Sequence, residues 1–423
     1  MLPEWRGSGQ GSGKNPIGAF VKPPLLAGAQ LAPDATAWRP QVALALIMGY
    51  FVLFGLTIGS QGVLWAEMIQ ALRISDGAFG SAQLLPPLVA VGLLLLGGPL
   101  TALFGKKRLV LAGLVILGAS SLALAAAGEL WGFVGALALA GLGFGAVEMA
   151  MNSATLDWEQ QTGRTVMNLM HAGFSGGAVV GALATGVLLE ASLGYGQILW
   201  LHAGLCLLAL LLTLPVRYPP AAPVHTTQND PGAAVRLLTR QRLLLALAVV
   251  SMFGVVGESV ANTWSVIHLR DLGAAAFIGG AAYALFNGTM FVGRLANAPF
   301  VARAGARVSL IVSGALVVLS GALLMIPGNL PVAITAFALA GLGVAGVVPT
   351  ALSAASRCAP GSSGAVTGAI MAMTYLSFVI CAPLVGWLAE LASLQFALLT
   401  VAASGLGILV LARSLRHSAE QQP

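Results

Sequence analysis

The stretch GLGFGAVEMAMNSA at residues 141–154 is matched 200 positions later by GLGVAGVVPTALSA at residues 341–354. Other pairs of residues keep nearly the same spacing. Trp65 and Trp264 lie 199 positions apart, and Gly105 and Gly305 lie 200 positions apart. Self-similarity at a fixed offset indicates repeated structural units. The pattern therefore predicts a chain built from two halves that share one topology.

The composition places both halves in a lipid bilayer. The chain has 20 Lys+Arg and 14 Asp+Glu, so 8% of its 423 residues are charged, where a soluble domain carries about 25%. Hydrophobic residues make up 58% of the chain, and the mean hydropathy is +0.91. This composition excludes soluble enzymes, secreted disulfide scaffolds and disordered chains. The pI near 9.6 reflects charge at the membrane surface, so no nucleic-acid partner is expected.

The apolar segments are long enough to span a membrane. A helix of about 20 apolar residues crosses about 30 Å of hydrocarbon. Twelve such runs are present, at 42–64, 80–103, 109–127, 131–154, 166–189, 195–214, 243–265, 274–299, 308–326, 331–355, 364–388 and 394–412. Repeats of six helices each have the same topology and form parallel repeats about an axis along the membrane normal. The sequence thus predicts an all-α integral membrane protein with twelve transmembrane helices in two six-helix repeats.

Positive charge determines the predicted orientation. If both termini are cytoplasmic, 18 of the 20 Lys and Arg lie on the cytoplasmic side, and only Arg73 and Arg270 lie outside. Residues 1–40 lack the apolar region of a signal peptide and are predicted as a disordered cytoplasmic tail. The other predicted boundaries are an N-terminal six-helix bundle at 41–214, a cytoplasmic linker at 215–242, a C-terminal six-helix bundle at 243–413 and a cytoplasmic tail at 414–423.

Glu148 is the strongest single candidate for a functional role. It lies in the middle of a predicted span, where a charged carboxylate costs about 2.5–3.5 kcal/mol on insertion scales and a protonated one far less. Asn152, Thr155 and Glu159 follow at i+4, i+7 and i+11, so all four share a helical face that we expect to line a central cavity. Glu148 is predicted to couple transport to a proton. A hydrogen bond to a neighbouring helix is the structural alternative.

Other polar and aromatic residues are predicted to bind a solute. Glu258 is expected near the outer end of the seventh predicted helix, and His171 has a ring that changes charge between about pH 5 and 8. The predicted substrate-binding residues are Asn152, Asn168, His171, Glu258, Asn262, Trp264, Tyr283, Asn287 and Tyr375. For Glu258 and His171, a structural contact between helices stays open as an alternative.

Residues outside this set carry further expectations. Trp65 is predicted to anchor the outer membrane interface. Arg294 is expected at the cytoplasmic edge, so that no Lys or Arg lies in the middle third of a helix. Anionic solutes are then predicted to be poor ligands, because they would meet Glu148 and Glu258 without a compensating cation. The cysteines show no pairing or metal-ligand spacing, and no cofactor or metal is expected; they are Cys206, Cys358 and Cys381.

Two stretches carry a family resemblance. The loop GPLTALFGKKR at residues 98–108 resembles the loop motif of the major facilitator superfamily, without its usual acidic residue. The second copy, at residues 293–307, has Asn297 where that family often has Asp. The resemblance extends over nearly all of residues 41–413 and implies a transporter with the twelve-helix fold of that superfamily.

A narrower resemblance is to fucose-permease-like carriers and related permeases of the bacterial inner membrane. It rests on EMAMN at 148–152, NLMHAGFSGG at 168–177 and HLRD at 268–271, together with Arg164, Glu258 and Trp264. The resemblance implies a proton-linked role for Glu148 and a location in the inner membrane. The chain departs from those relatives at His171, where they have Gln, and at Gly62, where they have an acid.

Two transport functions follow from these features. The first is a proton-coupled carrier for a small, polar, sugar-like solute that works by alternating access. The alternative is a drug/proton antiporter, for which Met149, Met151, Met167, Met170, Met371 and Met373 would offer an adaptable surface. An enzyme is not expected, because the sequence has no catalytic dyad. The expected partners are the solute, a proton and the lipid bilayer, and the expected state is a monomer.

Overall fold

The computed structural model describes residues 39–219, 241–358 and 363–414. The N-half comprises α1 (Pro40–Leu72), α2 (Asp76–Ala82), α3 (Leu85–Leu95), α4 (Gly97–Phe104), α5 (Lys106–Ala126), α6 (Leu130–Thr162), α7 (Met167–Glu190) and α8 (Tyr195–Thr213). The C-half comprises α9 (Arg242–Asp271), α10 (Ala276–Leu323), α11 (Leu330–Val344), α12 (Val347–Cys358), α13 (Ser363–Leu391), α14 (Leu394–Ala397) and α15 (Leu399–Ser414). Nearly all of the predicted tails and most of the predicted linker lie outside the described residues.

The predicted all-α membrane architecture is confirmed. Ten helical segments in the described ranges are long and apolar enough to cross a membrane. One of them, α10, contains both the eighth and the ninth predicted spans, which meet at Gly305. The second predicted span is divided among α2, α3 and α4, which are too short to count individually. Together these segments account for all twelve predicted spans.

The two halves repeat an unusual backbone conformation at equivalent positions. Gly105 has φ 76° and ψ 149°, and Gly305 has φ 83° and ψ 158°. Residues other than glycine avoid this region because of their Cβ atom. The match between Gly105 and Gly305 in the sequence therefore corresponds to the same turn between consecutive spans in each half.

The N-half and the C-half are joined by side-chain contacts at one end of the bundle. We call this end, which contains the turn after α1, the outer end, and the end where α1 begins the inner end, following the predicted orientation. Arg270 and Glu67 form an ion pair across the halves. Ser75 donates to Glu390 over 3.2 Å, and Trp387 Nε1 donates to Ser81 over 3.1 Å. The structure is thus closed at its outer end.

Glycines allow the backbones of the two halves to approach closely at the outer end. A Cβ added to Gly62 of α1 would lie 2.6 Å from Tyr283 Cε2 of α10. A Cβ on Gly280 of α10 would lie 2.6 Å from the carbonyl oxygen of Ala182 in α7. Small residues commonly permit such contacts between membrane helices. The outer closure therefore depends on positions where a larger side chain has no room.

Trp65 is not a membrane-interface anchor, contrary to the prediction. It is only 7% exposed, and its ring lies 5.9 Å from the Phe79 ring and 6.0 Å from the Phe133 ring. The Phe79 ring in turn meets Trp264 of the C-half edge-on at 5.3 Å. We call these four side chains the outer aromatic cluster. Aromatic rings that pack edge-on or tilted against one another stabilise an interface beyond the area they bury, and the closed outer end provides such contacts for Trp65.

Candidate functional site

Glu148 and Asn152 lie one turn apart on α6, and both are half-buried. The Asn152 side chain donates to the Glu148 carbonyl oxygen over 2.9 Å. Among the described residues, no basic side chain forms an ion pair with the Glu148 carboxyl group. The Glu148 carboxylate instead interacts electrostatically with Tyr375 of α13. Glu148 of the N-half and Tyr375 of the C-half therefore lie near one another.

The other two residues of the predicted α6 face have structural roles. Thr155 is fully buried and its hydroxyl donates to the Met151 carbonyl oxygen over 2.8 Å. The Glu159 carboxylate accepts from the backbone N–H groups of Val166 and Met167, over 2.5 and 2.8 Å, at the start of α7. A carboxylate at a helix start satisfies free N–H groups and suits the helix dipole. The polar face toward the cavity thus ends at Asn152.

Arg294 is the basic partner of Glu258, and the prediction that Arg294 lies at the cytoplasmic edge is wrong. Arg294 Nη2 lies 3.7 Å from Glu258 Oε1, and the two side chains are 46% and 21% exposed. Glu258 is the seventeenth of the 30 residues of α9, so it lies in the middle of the helix and not near its outer end. Arg294 is the nineteenth of the 29 residues from Ala276 to Ala304, before the turn at Gly305. It therefore lies well inside its span, because the helix continues beyond the predicted end at 299.

This ion pair changes the charge balance of the site. The expectation that no Lys or Arg lies in the middle third of a helix is wrong, because Arg294 does. The charge of the site therefore does not exclude anionic solutes, since a cation lies beside one of the two carboxylates. Glu258 is compensated by Arg294, whereas Glu148 has no such partner among the described residues. The two intramembrane acids are therefore not equivalent.

His171 of α7 faces the C-half. Its ring is exposed and meets the Phe51 ring edge-on at 5.4 Å. The Arg294 guanidinium interacts electrostatically with this ring, so α7 and α10 bring a polar group from each half to the same region. Ser175 donates to the His171 carbonyl oxygen over 3.1 Å. Asn168 lies one turn earlier on α7, and its side chain lies outside the described part of the structure.

Four predicted binding residues differ in accessibility. Trp264 is 0% exposed in the outer aromatic cluster, and Tyr283 is 1% exposed against Gly62. Neither can contact a solute in this conformation, because closure of the outer end covers them, and their binding role stays a prediction for the open state. Asn262 and Asn287 are half-buried. Asn287 donates to the Tyr283 carbonyl oxygen over 3.1 Å, whereas the buried Asn262 Oδ1 has no hydrogen-bond partner.

The outer closure also brings acidic side chains together. Asp76, which precedes the second span, lies near Glu390 of the C-half. Burial and the neighbouring Glu390 carboxylate raise the pKa of Asp76 above its ordinary value. A pKa raised in the closed arrangement means that protonation of Asp76 favours closure, and that its ionisation at higher pH favours separation of the halves.

Known proteins resemble this chain over most of its length. The family model described as Major Facilitator Superfamily matches residues 46–377. The uncharacterized transporter y4wD of Sinorhizobium fredii is 26% identical over 318 residues, which cover 73% of this chain and 80% of that protein.

Solved structures support the same fold. The nucleoside transporter NupG has a TM-score of 0.75 at 15% identity, and the match covers 89% of this chain and 100% of that one. The fucose:proton symporter FucP of E. coli has a TM-score of 0.57 at 17% identity, covering 90% of this chain and 100% of that one. With the family model matching well over half of the sequence, the chain belongs to the major facilitator superfamily of membrane transporters.

Proposed function

We propose that this transporter moves a small, polar, sugar-like solute together with a proton, by alternating access of its two halves. The observation that carries the proposal is the difference between the two intramembrane acids. Glu148 has no cationic partner among the described residues and lies near Tyr375 of the other half, whereas Glu258 is paired with Arg294.

The unpaired state of Glu148 suits a proton carrier. A carboxyl group inside the membrane is far more stable when neutral, and one without a nearby cation gains most from binding a proton. A carboxylate that is already paired with a guanidinium is stabilised less by binding a proton. Glu148 also lies where the halves face each other, so rocking the halves would change its exposure to water. We therefore assign the proton site to Glu148.

The solute site is proposed from the polar groups that the halves share. His171 and Asn152 come from the N-half, and Glu258, Arg294 and Tyr375 from the C-half. Guanidinium and carboxylate groups side by side offer both donors and acceptors, which suits a solute bearing several hydroxyl groups. FucP and NupG are named as carriers of fucose and of nucleosides, and both solutes are hydroxyl-rich. Trp264 and Tyr283 would join the site only when the outer end opens.

The drug/proton antiporter is less well supported. Three of its six candidate methionines are buried in the N-half core, at Met149, Met151 and Met170. A flexible binding surface requires methionine side chains that reach the ligand. The remaining three cannot supply a broad surface of this kind.

We further propose a monomer in the bacterial inner membrane with both termini in the cytoplasm. The distribution of Lys and Arg supports this orientation, since 17 of 20 lie on the side predicted to be cytoplasmic even when Arg294, which lies inside its span, is left out. Under this orientation the closed outer end faces the periplasm. The structure then corresponds to the state in which the site is shielded from the periplasm.

The test is solute-driven proton movement in proteoliposomes. Purified protein is reconstituted with a pH-sensitive dye inside, and a panel of neutral sugars, polyols and nucleosides is added outside. We expect one class to acidify the lumen in the absence of an imposed gradient, and a protonophore to abolish this signal. Uptake of labelled solute without proton movement would refute the coupling. Export of amphipathic cations with no response to any hydroxylated solute would favour the antiporter.

A further inference from the structure

A groove on the outside of the N-half suggests a second binding site. It lies between α1 and α8 and has a volume of about 460 Å³. Its walls include Val42, Leu46 and Leu53 from α1 and Leu208 and Val216 from the end of the N-half. Tyr50 is the one polar side chain among its described lining residues. The groove contributes nothing to the solute site described above, because it opens on the surface that faces lipid.

The dimensions of the groove fit one acyl chain. Its α1 wall extends from Val42 to Leu56, which is about 21 Å at 1.5 Å per helical residue. One leaflet of a bilayer contributes about half of the roughly 30 Å hydrocarbon thickness, so this wall is long enough for an acyl chain that spans one leaflet. Gly49 lies in this wall, and a Cβ added there would meet nothing within 4 Å. The missing side chain therefore leaves open space in the groove.

Cations flank the inner mouth of the groove. Arg39 precedes α1 three residues before Val42, and Arg217 directly follows Val216; both are exposed. Lys107 Nζ donates to the Leu214 carbonyl oxygen over 2.7 Å, which places a third cation beside the end of α8. Among the residues that the structure describes, the groove lining includes no acidic side chain. An apolar channel with cations at one end has the chemical pattern of a phospholipid with an anionic headgroup.

We propose that this groove binds an anionic phospholipid, with an acyl chain along α1 and α8 and its phosphate near Arg39 and Arg217. Trp158 Nε1 donates to the Pro40 carbonyl oxygen over 2.7 Å and fixes the start of α1, so the Arg39 side of the mouth is held in place. The phospholipid would stabilise the packing of α1 against α8. This site is independent of the proton and the solute.

The test compares two lipids on the purified, delipidated protein. Phosphatidylglycerol and phosphatidylcholine of the same chain length are titrated, and binding is followed by native mass spectrometry and by the shift in Tm. We expect phosphatidylglycerol to bind more tightly, and the double variant Arg39→Gln/Arg217→Gln to weaken its apparent affinity by about tenfold or more. Arg303→Gln, which removes an exposed cation of the C-half, away from the groove, is the matched control and should change little.

A second variant tests the groove itself. Gly49→Trp should fill the open space and reduce retention of both lipids, whereas Gly135→Trp, at an exposed position where a Cβ also meets nothing within 4 Å, should not. Equal binding of both lipids with no effect of Arg39→Gln/Arg217→Gln would overturn the proposal and indicate a nonspecific lipid shell. If Gly49→Trp failed to fold, the arginine variants would still decide the question.

Discussion

Arg270 at the end of α9 holds Glu67 of α1 in an ion pair with 2.7 Å between Arg270 Nη2 and Glu67 Oε1. The same guanidinium donates through Nη1 to the Ala274 carbonyl oxygen over 2.8 Å, which fixes its orientation. Both partners are about one-quarter exposed, so the net stabilisation by this pair is about 1 kcal/mol or less. Its main consequence is positional, because it ties the first helix of one half to the first helix of the other.

We predict that locking this contact stops transport. With Glu67→Cys and Arg270→Cys in a background that has Cys358→Ser, a disulfide or a short bifunctional crosslinker should hold the outer end closed. Alternating access then cannot proceed, and solute uptake should fall to background. Uptake by proteoliposomes before and after reduction is the measurement, and each single cysteine variant is the control. Undiminished turnover in a fully crosslinked sample would contradict the rocking of the two halves.

We predict that replacing a glycine at the outer closure by a larger residue prevents the outer end from closing. Gly280→Val would place side-chain atoms against the Ala182 carbonyl oxygen, because even a Cβ would lie 2.6 Å away. We expect the outer end to remain open. Ser81→Cys, which replaces the acceptor of the Trp387 hydrogen bond, serves as a reporter, and its labelling by an impermeant thiol reagent should rise about tenfold in the Gly280→Val background.

Gly288→Val is the matched control for this experiment. Gly288 lies on the same helix, and a Cβ there meets nothing within 4 Å. Labelling of Ser81→Cys should therefore stay at the level measured for the reporter variant without a valine substitution. Equal labelling in both valine variants would show that the close contact at Gly280 does not control closure.

The fold could be predicted from the sequence because the features that determine it can be recognised in single stretches of sequence. Apolar length determines a span, and the match of residues 141–154 with 341–354 reveals the repeat. The site was harder to predict, because the side chains that contact one another come from different helices. Their burial also depends on which end of the transporter is closed. Trp65 and Trp264 are at helix ends in the sequence, yet they are buried because the outer ends of the two halves meet.

Arg294 shows a second limit of the sequence. Apolar patterning places the end of a helix only within a few residues, and the predicted span ended at residue 299. The helix continues through Pro299 to Gly305, so Arg294 is moved from an edge toward the middle of its span. A signal was nonetheless present: an Arg within an apolar run, five residues before Pro299, requires a polar partner, and Glu258 was the mid-helix acid on the preceding helix.

The Glu258–Arg294 pair should behave as a unit in a double-mutant cycle. Glu258→Gln and Arg294→Gln each leave one charge without its partner, and the double variant leaves none. Because Arg294 is nearly half-exposed, we expect a coupling of only about 1 kcal/mol in unfolding free energy. Solute binding should fall about tenfold or more in all three variants, since each removes a donor or an acceptor. Normal binding by the double variant would exclude this pair from the solute site.

The proton site is tested most directly at Glu148. Glu148→Gln has the shape and hydrogen-bonding groups of a permanently protonated carboxyl, so it should retain solute binding and exchange of labelled for unlabelled solute. It should lose accumulation against a gradient, because no group then takes up a proton on one side and releases it on the other. Glu258→Gln is the matched control, and its effect should be mainly on binding. Exchange and gradient-driven uptake, measured in the same proteoliposomes, separate these outcomes. If Glu148→Gln still accumulates solute at wild-type levels, the proton is bound elsewhere, and Glu258 with its Arg294 partner becomes the site to examine.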